Sequence, residues 1–440
     1  MATTYLTRTP SSSTNNRTFT LSVWVKRAKI SDRQAIIAQA VDGSNETQIW
    51  FDNDDTLLMF QNSSNSTQFA IRTNRLFRDT NSWYHIVMAF DTTQATETNR
   101  VKLYINGVQE TSFNSPSYPS QNFDTRWNST TPVEVGRMSY NQNYFDGVMS
   151  HLHWIDGTQY SASNFGSTDS TTGEWKINAS PSVTYGTNGF FILKDTNSGT
   201  DQSGNSNNFT VGGGTLTKTE DNPSNNFATW YADSFDKGNQ VSFSNGNTTT
   251  ADAGGTSDYD PQAWTTFGAN AGKYYCEMKL TAFTTNRSYR AGVWFTEGNF
   301  SNESNADCFS GVRYTMTGNA VTIRSFGSDV QSGLASFSAG DILGIAVDID
   351  NGTIQYYRNG ATYGSQITGL SNNFSGKSML FCHTGEAGGG RTFTIDANFG
   401  NGYFGTTAVS SAGTNASNLG IFEYDVPTGY TALSTKGLNL

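Results

Sequence analysis

Two stretches of this chain alternate between apolar and polar positions with unusual regularity. In residues 341–360 (DILGIAVDIDNGTIQYYRNG), Leu343, Ile345, Val347 and Ile349 fall on one side of an extended backbone, which predicts a strand with one buried face. Asp350-Asn351-Gly352 follows as turn chemistry, because Asn and Gly tolerate the positive φ of a tight hairpin. Ile354 and Tyr356 then alternate with Gln355 and Tyr357, and Asn359-Gly360 closes the run. The segment reads as a three-strand antiparallel meander. Far upstream the same order recurs: a strand over 83–90 (WYHIVMAF), a polar loop over 91–99, a strand over 101–105, then Asn106-Gly107. Two copies of one grammar predict two β domains.

Other segments agree. In residues 19–25 (FTLSVWV), Phe19, Leu21, Val23 and Val25 oppose Thr20, Ser22 and Trp24. Further strands are predicted over 35–38, 47–51, 57–61, 69–72, 133–135 and 145–155, and in the second half over 272–280, 291–295 and 393–400. Strands without a helical period indicate an all-β chain of two antiparallel β-sandwich (jelly-roll) domains in tandem. No heptad or Gly-x-y repeat supplies a fibre shaft.

Composition sharpens the class. The chain has 440 residues, long for a single core, with 35% hydrophobic, 15% charged and 13% aromatic residues. That mixture suits sheets joined by polar turns and is too aromatic for a disordered chain. With 27 basic against 37 acidic residues the formal charge is −10, and no basic cluster offers itself to nucleic acid. Three scattered cysteines, Cys276, Cys308 and Cys382, make neither a disulfide framework nor a zinc site. Cys276 shares a face with Tyr274 and Met278 and is expected in a core. No leader-like h-region and no run of 18 apolar residues occurs, so neither export by a signal peptide nor membrane insertion is expected.

The order FTLSVWV, SWYHIVMAFD, VKLYINGV, VEVGRM and FDGVMSHLHWIDG resembles laminin-G/concanavalin A-like lectin or glucanase domains, in the form common in structural proteins of marine bacteriophages. NGFFILKD and TDQSGNSNNFTV resemble the tail of that domain type, which sets a first domain at 1–214. Residues 215–226, polar and with Pro223, read as a linker. Residues 227–440, with GKYYCEMKL, AGVWF, the 341–360 meander and FTIDANFG, resemble a SPRY domain. The resemblance implies a virion surface protein, made in the host bacterial cytoplasm, that binds other virion structural proteins and host cell-surface polysaccharide. A head decoration, a tail fibre and a tail knob all fit, and self-association is compatible with each.

Candidate chemistry is sparse. Glucanases of the concanavalin class use a Glu-x-Asp-x-(x)-Glu phrase to place two carboxylates, and none occurs here. Asp348 and Asp350 read as turn caps. No catalytic residue is assigned, and a polysaccharide-degrading enzyme stands as the alternative. His151 and His153 share a strand face opposite Leu152 and Trp154 and read as solvated, with no third metal ligand nearby. GEAGGGR (385–391) lacks the Lys-Ser/Thr of a phosphate loop. No cofactor is expected. Asp52 and Asp54 are a weak Ca²⁺ candidate, which laminin-G-like domains often hold, but the run reads first as a hairpin turn. Sugar binding is what the residue types serve best: Tyr140, Asn141, Asn143 and Tyr144 combine stacking rings with amides in one loop, and Trp127 beside Asp124 and Arg126 is a second candidate. In the second domain Arg287, Tyr289 and Arg290, read as a loop before AGVWF, are candidate partner contacts.

Overall fold

The computed structural model describes residues 3–138, 142–195, 198–232, 241–252, 262–283, 288–295, 309–315, 320–385 and 392–439. The chain is all-β and divides into two compact units, Met1–Lys218 and Thr219–Leu440. The division falls inside the stretch read as a linker. Leu216 packs on the first core, and Asp221 is buried with an oxygen that accepts the Phe227 N–H. Most of these residues are therefore tied to one unit or the other.

In the first unit the strands are β1 (Tyr5–Arg8), β2 (Thr18–Arg27), β3 (Gln34–Asp42), β4 (Asn45–Phe51), β5 (Thr56–Ser63), β6 (Ser66–Leu76) and β7 (Tyr84–Asp91). They continue as β8 (Val101–Ile105), β9 (Val108–Glu110), β10 (Val133–Val135), β11 (Gly147–Asp156), β12 (Gly166–Thr168), β13 (Trp175–Ile177), β14 (Phe190–Ile192) and β15 (Thr210–Gly213). One sheet runs β15-β1-β10-β3-β4-β5-β6 and the other β14-β11-β2-β7-β8-β9, with β12 and β13 as a separate hairpin. Their facing sides enclose one core of alternate residues: Leu21, Val23 and Val25 from β2, Ile49 and Phe51 from β4, Met88 and Phe90 from β7. The Asn106-Gly107 turn has φ of 48° and 81°, the doubly positive pair that a two-residue hairpin requires.

The second unit holds β16 (Val241–Ser244), β17 (Thr249–Asp252), β18 (Gln262–Trp264), β19 (Lys273–Phe283), β20 (Ser288–Phe295), β21 (Phe309–Thr315) and β22 (Ala320–Ser325). After them come β23 (Ser328–Leu334), β24 (Ile342–Asp348), β25 (Thr353–Arg358), β26 (Ala361–Ile367), β27 (Met379–Gly385) and β28 (Phe393–Asn398). One sheet orders β16-β17-β28-β19-β24-β25-β26 and the other β18-β27-β20-β21-β22-β23. The meander over 341–360 forms as expected. Leu343, Ile345, Val347 and Ile349 are buried in the core with Cys276, and Asn359-Gly360 turns with φ of 49° and 79°. Asp348 caps its turn through the Asn351 N–H, and Asp350 accepts the Gly272 N–H. Among the described residues no helix is long and apolar enough to cross a membrane.

Candidate functional site

The strands of the seven-stranded sheet send every second side chain away from the core. On β4 the inward set is Ile49 and Phe51, and the outward set is Glu46, Gln48 and Trp50. Registers align these with neighbouring strands into rows. One row is Ala35, Trp50, Leu58 and Arg72; the next is Glu134, Ala38, Gln48, Phe60 and Ala70; a third is Ala40, Glu46 and Asn62. Ala35, Trp50 and Leu58 form an apolar patch, with Phe60, Ala70 and Met138 packed against it. Trp50 and Phe60 meet edge to face at 5.4 Å between ring centres.

Met138, just before the loop proposed for sugar binding, lies against this face. Tyr140 and Asn141 lie outside the described residues. Asn143 lends its carbonyl to the Ala35 N–H at 2.9 Å, which ties the loop to the start of β3. Tyr144 packs edge-on against Tyr5 at 6.2 Å, and the Arg137 guanidinium covers that Tyr5 ring at 3.4 Å. Arg137 in turn grips Glu134 through two bonds, of 2.9 and 2.5 Å.

Two polar atoms on this face lack an internal partner. Trp50 Nε1 and Gln48 Oε1 are buried and make no hydrogen bond among the described residues, although the Gln48 amide nitrogen donates to Glu46. Burial pushes the Glu46 carboxyl up, while the Gln48 amide and the Arg33 charge pull the other way. Arg33 also sits over the Trp50 ring at 5.4 Å. Glu46, Gln48, Trp50 and Phe60 were not singled out from the sequence. The signal was there in the alternation over 45–51, whose polar and aromatic members oppose Ile49 and Phe51.

Other expectations are corrected. Trp127 is 1% exposed and packs against Phe19 and Trp154, so no sugar can reach its ring. Asp124 is instead exposed and paired with Arg17 at 2.6 Å. Asp52 offers one oxygen to Arg33 and the other to Arg72, Asp54 also binds Arg72, and Asp55 binds Arg27 and Arg78. Burial raises the Asp52 carboxyl, but Arg72, the Asn53 N–H and Arg33 outweigh it and hold the group below its ordinary range. Carboxylates so committed to guanidinium groups do not fit a Ca²⁺ ion, which needs their oxygens free. Arg287 lies outside the described residues, while Tyr289 and Arg290 belong to strand β20 and not to a loop. His153 is 1% exposed and covered, while His151 is half-buried at a break in the β11–β2 register with φ of 48°, so the two do not share one solvated face.

No match to the chain was found among curated proteins. Among solved structures, the SPRY domain of human HERC1 is similar at 14% identity over 34% of this chain and 87% of that one, with a TM-score of 0.27. The TRIM65 PSpry domain gives 15% identity over 38% and 88%, with a TM-score of 0.29. Stonustoxin gives 15% over 39% and 27%, with a TM-score of 0.28. Residues 2–162, which hold the β4–β5 face and the loop against it, match the laminin G family of the concanavalin A-like lectin/glucanases superfamily.

Proposed function

We propose that this is a non-catalytic binding protein whose first unit takes carbohydrate on the outward face of β4 and β5. The observation that carries the reading is the half-buried Phe60 ring on the same outward face as the half-buried Glu46 carboxyl and Asn62 amide, which lie opposite each other on β4 and β5. A sugar hydroxyl both donates and accepts, so vicinal hydroxyls match a donor and an acceptor on one face. The ring of Phe60, half-buried, supplies a stacking surface at the same place.

Hydrolysis is not part of the proposal. Two acids of this face are committed within the protein, and the first, Glu46, accepts from the Gln48 amide. Glu134 is moreover held by Arg137. The second unit is the docking partner for other proteins, and the sequence resemblance to phage structural proteins makes virion surface components the partners we propose.

Stacking on one ring contributes about 0.5–1.5 kcal/mol by analogy with aromatic pairs, so single-site affinity is near millimolar and useful only in many copies. Beads carrying the protein at high density should adhere to bacterial envelope polysaccharide. Phe60→Ala, which removes the stacking ring, and Asn62→Ala, which removes the amide, should each weaken adhesion without releasing reducing sugar. Adhesion by both variants equal to wild type would remove this face from consideration. Sugar release by the wild type would turn the reading into the enzymatic one.

A further inference from the structure

The outward face of the six-stranded sheet is covered by the chain between β11 and β14. Tyr160, Phe165, Trp175 and Tyr185 of this cover pack on Val87 and Ile155 of the sheet. The β12–β13 hairpin delivers Trp175 into a slot between two glycines. A Cβ at Gly107 would lie 2.3 Å from its ring, and one at Gly166 would lie 2.6 Å away. Beneath it lies His85, parallel to Trp175 at 5.9 Å and stacked on Trp24 at 4.6 Å.

The hydrogen bonds of His85 fix its state. An indole N–H can only donate, and Trp175 Nε1 lies 2.9 Å from His85 Nδ1. Nδ1 must therefore present a lone pair, and the ring proton belongs on Nε2, 2.9 Å from the Ser22 hydroxyl. An imidazolium carries N–H on both nitrogens and would set donor against donor at Trp175. His153 is more permissive, because its partner is the Tyr185 hydroxyl at 2.8 Å, which can donate or accept.

We propose that Trp175 and His85 form an acid-sensitive latch: on acidification, protonation of His85 releases the cover, residues 158–185, from the sheet while the core between the two sheets stays folded. The charged and titratable groups around the latch favour release over protonation in place. They are Lys26 on β2, Tyr104 on β8, His151 and His153 on β11, Lys194 and Asp195 after β14, and Tyr160 and Tyr185 on the cover. Four of these eight are cations or become cations in acid, three are phenols, and Asp195 is the one acid among them. Burial and the neighbouring His151 lower the His85 pKa to about 3. A ring that accepts its proton only when uncovered shifts the opening equilibrium about 100-fold two pH units below the ordinary histidine value.

Amide hydrogen exchange on the full chain, corrected for intrinsic rates, tests this. Between pH 6.5 and 4.5 protection across 160–178 should fall about 100-fold while β2 and β7 amides hold. His85→Gln can still accept from Trp175 and donate to Ser22 without titrating, so it should cut that response to the part that His153, buried against Phe165 and Tyr185 of the cover, contributes. Since this variant could pack poorly, long-range ¹⁵N NMR on the wild type provides a second test, expected to show the Nε2–H tautomer of His85 at pH 7.5. Unchanged protection in the wild type, a full acid response in His85→Gln, or an Nδ1–H tautomer would each overturn the latch.

Discussion

Both units cover one outward sheet face with trailing chain, but they fasten the cover with opposite chemistry. In the first, the fastening is the neutral imidazole of His85 accepting from Trp175. In the second, Tyr275 and Ala346 on the outward face of β19 and β24 are covered by Phe422 and Val426. There the fastening is the Glu277 carboxyl group, fully buried, which accepts the backbone N–H groups of Glu423 and Tyr424, both at 2.9 Å, and the Asn398 amide at 3.2 Å. Burial pushes the Glu277 pKa up to about 7 despite these donors. Apolar packing closes both covers, and a buried ionisable group beneath each one, His85 in the first and Glu277 in the second, sets which way acid moves it.

The sharpest way to break the comparison is to remove the second fastening. Glu277→Ala strands two backbone N–H groups and the Asn398 amide in a buried site, a cost of about 3–6 kcal/mol. Chemical denaturation should show the second unit destabilised by that amount and the first unchanged. Exchange should localise the loss to 421–426. A loss below 1 kcal/mol would mean that the apolar contacts alone hold the cover.

The next effect is the opposed pH response of the two covers. The folded pKa of Glu277 lies above its unfolded 4.5, so its contribution is complete below pH 4.5 and is lost as pH rises through about 7. Closure over 421–426 should therefore weaken by about 2–3 kcal/mol from pH 5 to 8. The folded pKa of His85 lies below its unfolded 6.5, so its contribution is present above pH 6.5 and is lost as pH falls toward about 3. Closure over 160–178 should weaken in the other direction. The global stability of the second unit masks its half of the contrast. His383, buried in that unit, is also lowered to about 3 and opposes Glu277. Glu277→Gln should expose this, leaving a second unit that only loses stability in acid. Parallel pH trends at the two covers would end the comparison.

How much of this could be read from sequence depends on how local the cause is. Asn106-Gly107 and Asn359-Gly360 were legible because a doubly positive φ is decided within two residues. Inward faces such as Leu343–Ile349 were legible because alternation is local too. What alternation leaves open is what lies against the second face. Trp24, Ser22 and His153 were read as the polar or outward set, yet all three are buried, because a later segment returns to cover them. Trp127 failed for the same reason in reverse: an aromatic in a polar loop points inward when the loop closes the end of a sandwich. The β4 face was half legible, since its members alternate but their unpartnered atoms emerge only from three-dimensional packing.

A smaller effect is expected from the slot that receives Trp175. Gly107→Ala forces a side chain into φ of 81°, a cost of about 1–3 kcal/mol, and drives its Cβ into the Trp175 ring. Exchange over 160–178 should rise at neutral pH, and the acid response should shrink because the latch is already open. An unaltered cover would show that the ring is not seated between the glycines.

The smallest effect separates the latch from ordinary charge pairing. The same hairpin carries an exposed ion pair, Lys176 Nζ to Asp169 at 2.7 Å, and the Lys176 bond together with the Thr172 and Thr171 N–H groups holds the Asp169 carboxyl well below its usual range. Exposed pairs of this kind are screened by salt and add little to folding. Lys176→Ala should therefore leave both the protection of 160–178 and its pH dependence unchanged, in low salt and in high. That outcome would assign the cover to an indole donating to a neutral imidazole and to apolar contact. If the variant instead opened the cover, or if salt alone did so, the fastening would be electrostatic, and the contrast with Glu277 would be one of strength and not of kind.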